Sequence, residues 1–245
     1  MAKALRIRFL APLALWTAAC AGPGVVAGDG AAARPKTLAD LLDHVQAHSE
    51  ATADLEADFT RTRVSKWSRR GPKVVKGRLV LKTPGMVKME FVEPVEDART
   101  LIVNDEEAWE IRPGAKNAVH FKFTKEGRAG LSPELRAFLA AMGRDLKELT
   151  VDYDLKLDAV PPEGEAGYYE VVAVKKEAFQ NPYYKEMRFW ISTETWMPVK
   201  VTGAKPDETV ETWEFTNVKT NTEVKPSEFK WSPPLGWNVI EEEAK

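Results

Sequence analysis

The chain has 245 residues, of which 44% are hydrophobic, 29% charged and 9% aromatic. That composition is globular and excludes bulk disorder and collagen-like repeats, and a single cysteine excludes an internal disulfide framework or a cysteine-rich metal site. Lys and Arg number 35 against 37 Asp and Glu, a net charge of −2, without the basic excess that neutralising nucleic-acid phosphates requires.

Lys3, Arg6 and Arg8 precede an apolar run from Phe9 to Ala19, too short to span a bilayer as a mature helix. Residues 1–21 therefore read as a secretory signal, with cleavage before Cys20, Gly22 or Gly28. Its removal takes away those three basic residues and no acidic one, which moves the net charge from −2 to −5. The run Trp16-Thr17-Ala18-Ala19-Cys20 resembles a bacterial lipoprotein signal, in which the cysteine becomes the acylated first residue. Thr17 stands where Leu is usual, and ordinary cleavage accounts for the same small residues, so both readings stay open. Either one places the mature chain outside the cytoplasm. Residues 22–36, rich in Ala, Gly and Pro, read as a flexible leader.

Thr37 is an N-cap candidate with Asp40 three residues on, and Leu38, Leu41, Leu42 and Val45 recur at helical spacing to predict a helix as far as Thr52. Alternation then begins. Leu55, Ala57 and Phe59 oppose Glu56, Asp58 and Thr60; Val75, Gly77, Leu79 and Leu81 oppose Lys76, Arg78 and Lys82; Val87, Met89 and Phe91 oppose Lys88 and Glu90. Leu101 to Val103, Trp109 with Ile111, and Val119 with Phe121 and Phe123 continue the meander, separated by turns at Asn104 to Glu106 and Pro113-Gly114. Strands so closely spaced predict antiparallel pairing. Ser132-Pro133 opens a second predicted helix with the stripe Leu135, Phe138, Leu139, Met142, Leu146 and Leu149, interrupted at Gly143. Strands resume over 151–157, 168–174, 187–191, 197–202, 210–215 and 218–224. The expectation is a mainly β, α+β fold of eleven or twelve strands and two main helices, forming one domain over 37–241.

Catalytic chemistry has little support. His44 and His48 can share a helix face but lack the adjacent Glu of a zinc-protease motif and a third ligand, so solvated histidines are the simpler reading. His120 lies in a strand and reads as a surface or satisfied residue. The sequence has no Gly-x-Ser-x-Gly elbow and no glycine-rich phosphate loop. Glu106-Glu107 and Glu241 to Glu243 read as solvated charge. Nothing calls for a metal or cofactor.

The stretch from Gly77 to Phe91, followed by Pro94, Leu101-Ile102-Val103-Asn104-Asp105 and Trp109, resembles the first meander of the periplasmic outer-membrane lipoprotein carrier (LolA) family. The ending Phe229-Lys230-Trp231-Ser232-Pro233-Pro234-Leu235-Gly236, then Val239-Ile240, resembles that family's terminal pattern. The resemblance implies an incomplete, curled antiparallel β-barrel of about eleven strands, with a helical lid over an apolar cavity. It implies a monomeric periplasmic carrier, not an enzyme, that shields the acyl chains of lipoproteins. Such a carrier receives cargo from an inner-membrane lipoprotein-releasing transporter and passes it to an outer-membrane acceptor. Candidate wall residues are Leu79, Leu81, Val87, Met89, Phe91 and Trp109, and candidate lid residues are Leu135, Phe138, Leu139 and Met142. Ordinary core packing is the alternative for each.

Two positions depart from the family. Thr83 stands where the family places a lid-latching Arg, and a hydroxyl cannot make the forked contact of a guanidinium, which leaves Lys88 as another candidate latch. Glu106 follows Asp105 where the family has an Asp-Gly turn. An acylated Cys20 would favour a membrane-anchored LolB-like acceptor instead of a diffusing carrier. An envelope stress sensor of the same fold is a further alternative, and a hydrolase is disfavoured by the missing nucleophile motif.

Overall fold

The first helix forms where its cap and its apolar spacing place it. Thr37 has extended backbone, its hydroxyl oxygen accepts from the Asp40 N–H, and the same hydroxyl donates to the Asp40 carboxylate at 2.7 Å. This closes the start of α1 (Leu38–Ala51), which buries Leu41, Leu42 and Val45 and ends at Thr52. The computed structural model describes residues 34–69, 71–83, 85–123, 146, 147, 149–163, 165–180 and 182–243.

The alternating segments become β1 (Asp54–Val64), β2 (Lys73–Lys82), β3 (Met86–Glu93), β4 (Arg99–Val103), β5 (Glu107–Arg112) and β6 (Asn117–Lys122). A four-residue helix, α2 (Leu149–Asp152), then leads into β7 (Tyr153–Ala159), β8 (Tyr168–Lys175), β9 (Glu186–Ser192), β10 (Pro198–Ala204), β11 (Val210–Thr220) and β12 (Asn238–Glu243). The strand predicted over 151–157 is thus helical at its start. The strand predicted over 218–224 is the end of β11, after which the chain leaves the sheet.

All twelve strands join one sheet in the order β12-β6-β5-β4-β3-β2-β1-β11-β10-β9-β8-β7. Two meanders meet along β1 and β11, each of eleven residues, with Phe59 opposite Phe215 and Arg61 opposite Trp213. Every pairing is antiparallel except β12 with β6, which is parallel and sets Val239 opposite Ala118.

This architecture corrects the barrel expectation. The sheet is open and neither closed nor curled into a barrel: β12 and β7 are its two edges, and they do not pair with each other. Closure needs the terminal strands to meet in register. Here one edge carries Glu241, Glu242 and Glu243 and the other Asp154, Lys156 and Asp158, charges of the kind that keep an edge unpaired. The expected helical lid is corrected as well. Among the described residues the α-helices are α1 and the four-residue α2, and the inner apolar side chains form one buried cluster. The stripe Leu135, Phe138, Leu139 and Met142 lies outside the described residues, as does Cys20.

Both faces of the sheet carry apolar clusters. The inner cluster takes Leu55 and Phe59 of β1, Leu79 and Leu81 of β2, Val87, Met89 and Phe91 of β3, and Val171, Phe189, Ile191 and Phe215 from the second meander. Leu41, Leu42 and Val45 of α1 join it. The outer cluster is confined to the first meander: Val80, Ile102, Trp109, Ile111 and Ala118, covered by Val224 and Phe229 with Trp231 and Trp237 against them.

Candidate functional site

Side-chain alternation runs the inner face past its apolar part into a charged end. On β1 the series Leu55, Ala57 and Phe59 continues to Arg61 and Arg63. On β2 the series Leu81, Leu79 and Gly77 leads back through Val75 to Lys73. On β4 it runs from Val103 and Leu101 to Arg99, and on β5 from Ala108 and Glu110 to Arg112. Arg61, Arg63, Lys73, Arg99 and Arg112 consequently converge with Glu96 and Asp97 around one groove of about 700 Å³. Val75 and Phe91 line it too, and both belong to the inner cluster, so the groove adjoins the apolar face.

Phe91 marks the border. Its ring meets Phe59 edge-on at 5.2 Å, while the Arg99 guanidinium lies 4.5 Å from its centroid. Beside it stands a buried polar hub. Glu211 is fully buried and accepts from Arg61 at 2.9 Å and from the Tyr184 hydroxyl at 2.8 Å, with Lys205 at 2.7 Å and Arg63 at 3.7 Å. Burial pushes the Glu211 carboxyl up, but the Arg61 charge and the hydrogen bonds from Lys205 and Tyr184 outweigh it and hold the group below the usual range. Burial and the neighbouring carboxylate push the Tyr184 phenol far above its ordinary value.

The opposite end of the inner face is tied to α1. The Thr83 hydroxyl donates to the Thr52 carbonyl at 3.1 Å, and the Thr83 N–H to the Ala53 carbonyl at 2.9 Å. Thr83 therefore fastens the end of β2 to the end of α1. Asp43 of α1 pairs with Lys147 at 2.5 Å, and His44 packs on Trp196 with ring centroids 4.6 Å apart.

Leu79, Leu81, Val87, Met89 and Phe91 come together on the inner face, each at most 5% exposed. Trp109 does not join them. It lies on the outer face, stacked on His120 at 3.8 Å and edge-on to Trp231. His120 bridges Glu107 at 2.7 Å and Glu241 at 2.9 Å, which pins β12 to the sheet. Lys88 also faces outward, between Glu90 at 3.1 Å and Glu228 at 3.2 Å, so it anchors the C-terminal arm. Sequence reasoning missed the groove, although extending the Leu55, Ala57, Phe59 series by two steps reaches Arg61 and Arg63. Among the described residues no group of three His, Cys, Asp or Glu is placed to hold a metal ion, and no helix is long and apolar enough to cross a membrane.

No protein-family model matches the sequence, and no curated protein matches it either. Solved structures do. An uncharacterized conserved protein from Thermus thermophilus aligns over 83% of this chain and 98% of its own, with a TM-score of 0.53 and 13% identity. A LolA superfamily protein from Nitrosomonas europaea aligns over 80% of this chain and 99% of its own, at a TM-score of 0.42 and 9% identity. MucB aligns over 82% of this chain and 64% of its own, at a TM-score of 0.46 and 12% identity. The Thermus protein shares the fold, and at such identity the likeness is one of architecture alone.

Proposed function

We propose that this chain is a non-enzymatic periplasmic carrier that shields the acyl chains of lipoproteins against the inner face of its sheet. One observation supports the reading above others: the inner face presents apolar side chains on every strand from β1 to β11, and α1 is the one long helix set against it among the described residues. The sequence resemblance of residues 77–109 and 229–240 to the lipoprotein carriers points the same way. Each methylene withdrawn from water contributes about 0.8 kcal/mol, so an acylated anchor needs such a surface to cross an aqueous gap. Acyl chains enter here by parting side chains that are packed together on this face. Polar ties such as Asp43–Lys147 and Thr83–Thr52 fix α1 while leaving it able to part from the sheet. In this reading an inner-membrane lipoprotein-releasing transporter supplies the cargo and an outer-membrane acceptor receives it.

The test is purification of the exported chain from a cell envelope, with mass spectrometry of what travels with it. Acylated proteins are expected; their absence, together with no binding of a fluorescent fatty-acid probe, overturns the reading. The same spectra resolve the mature N-terminus. Diacylglyceryl on Cys20 would replace a diffusing carrier by an anchored, LolB-like acceptor.

A further inference from the structure

The groove at the charged end of the inner face is sizeable, and the acyl-binding reading leaves it without a role. Five cationic side chains line it against two carboxylates, Glu96 and Asp97. The carboxylates set behind it are shared: Glu211 serves Arg61, Lys205 and Arg63, and Glu110 serves Arg99 at 3.6 Å and Arg112 at 2.7 Å. With Lys73 paired to Asp97 at 2.7 Å, and Asp207 in the field of Lys205 and Arg63, six cationic groups stand against five carboxylates among the described residues. The groove is short of negative charge, and three of its cations have side chains about half exposed: Arg63 at 47%, Lys73 at 59% and Arg112 at 56%.

Geometry joins this charge to the apolar face. Phe91 has its ring in the inner cluster and its other side under Arg99. A hydrocarbon chain lying along Met89 and Phe91 leaves the apolar surface among guanidinium groups, whose planar forks match phosphate oxygens. The volume, about 700 Å³, suits a small polar head and not a folded domain.

Building on the acyl-binding reading, we propose that the groove formed by Arg63, Lys73, Arg99 and Arg112 holds the phosphate-bearing headgroup of an amphiphile whose acyl chains lie on the inner face. A phosphate-bearing anionic lipid is then a cargo class beside lipoproteins, whose anchors carry no phosphate, with the polar head recognised at one end of the sheet.

The experiment compares the full mature chain with the double variant R63A/R112A, using dioctanoyl-phosphatidylglycerol, dioctanoyl-phosphatidylcholine and glycerol phosphate as probes in calorimetric titrations. Both substituted side chains are about half exposed, and matching thermal unfolding of variant and wild type establishes that the fold is kept. K73Q, at the β2 position paired with Arg63, is the second variant. The wild type is expected to bind phosphatidylglycerol more tightly than phosphatidylcholine, with affinity falling as salt rises. The double variant is expected to lose about tenfold toward phosphatidylglycerol and nothing toward phosphatidylcholine. Unchanged phosphatidylglycerol binding by both variants overturns the headgroup site and leaves the acyl-binding reading standing. Glycerol phosphate binding as tightly as the lipid overturns it in favour of a free-phosphate site. Binding of neither lipid by the wild type overturns the headgroup site, while the acyl-binding reading stands or falls on the acylated proteins and the fatty-acid probe.

Discussion

The two meanders are built alike and finished differently. In the first, the outer face carries Val80, Ile102, Trp109 and Ile111, and the chain brings Val224, Phe229, Trp231 and Trp237 back to cover them. In the second, the outer face carries a ladder of charge. Arg188 pairs with Glu170 and, at 3.3 Å, with Asp158, and Lys200 lies 5.0 Å from the Trp190 ring. A sheet face either meets water with charges or must be covered, and this chain does one in each half. The covered half is also the half that carries the groove.

The contrast can be broken most forcefully at Phe229, the fully buried side chain by which the arm seats on the sheet. Phe229→Ala is expected to cost about 3–5 kcal/mol in urea unfolding, and a loss below about 1 kcal/mol would show that the arm is not a structural cover. In the second meander the corresponding weak point is on the inner side. A side chain at Gly203 would run into the Tyr184 ring, so Gly203→Ala is expected to cost about 1–3 kcal/mol by the same measurement.

Acid should loosen the arm. Asp54 is buried, which pushes its carboxyl up, but the Thr222 N–H and hydroxyl and the Val224 N–H donate to it and hold it below its ordinary value. A depressed folded-state value means that Asp54 stabilises the fold above the unfolded-state value near 3.8 and that this stabilisation is lost as pH falls through the folded-state value. Asp54→Asn is therefore expected to be less stable than the wild type at pH ~7, with the gap closing toward pH ~2. A gap that is the same at both ends assigns the effect to shape and not to charge. The smallest effect belongs to the wet half: Arg188→Ala is expected to cost at most about 1 kcal/mol, less at high salt, because the pair is part-exposed.

Much of this is legible in the sequence. Thr37 and the Leu38, Leu41, Leu42, Val45 spacing specify α1, and alternation specifies β1 to β3, because those signals are local. The open sheet is not legible. Closure depends on how the two edge strands compare across ten intervening strands, which no local pattern encodes. The parallel β12 is hidden for a related reason: short strands in succession argue for antiparallel neighbours, and Val239-Ile240 finds its partner across the whole second meander. Grouping Trp109 with the wall assumes a single apolar face. The unbroken triplets Leu79-Val80-Leu81 and Leu101-Ile102-Val103 carry the opposite message, since strands dry on both sides lose alternation. The groove escapes notice because Arg61 and Arg63 end an apolar series and look like no more than its polar boundary.

The seam between β1 and β11 bears on how the chain reaches this form. Hairpins of near neighbours make up each half, but Arg61 and Glu211 lie 150 positions apart, and His120 and Glu241 lie 121 apart. Such distant partners raise contact order and make their meeting the slow event of folding. Each half can assemble early as a ribbon with unpaired edges, and the last steps are the zipping of the seam and the seating of the final strand. A newly made chain therefore spends its most vulnerable interval with two sticky ribbons not yet joined, when protection from aggregation matters most.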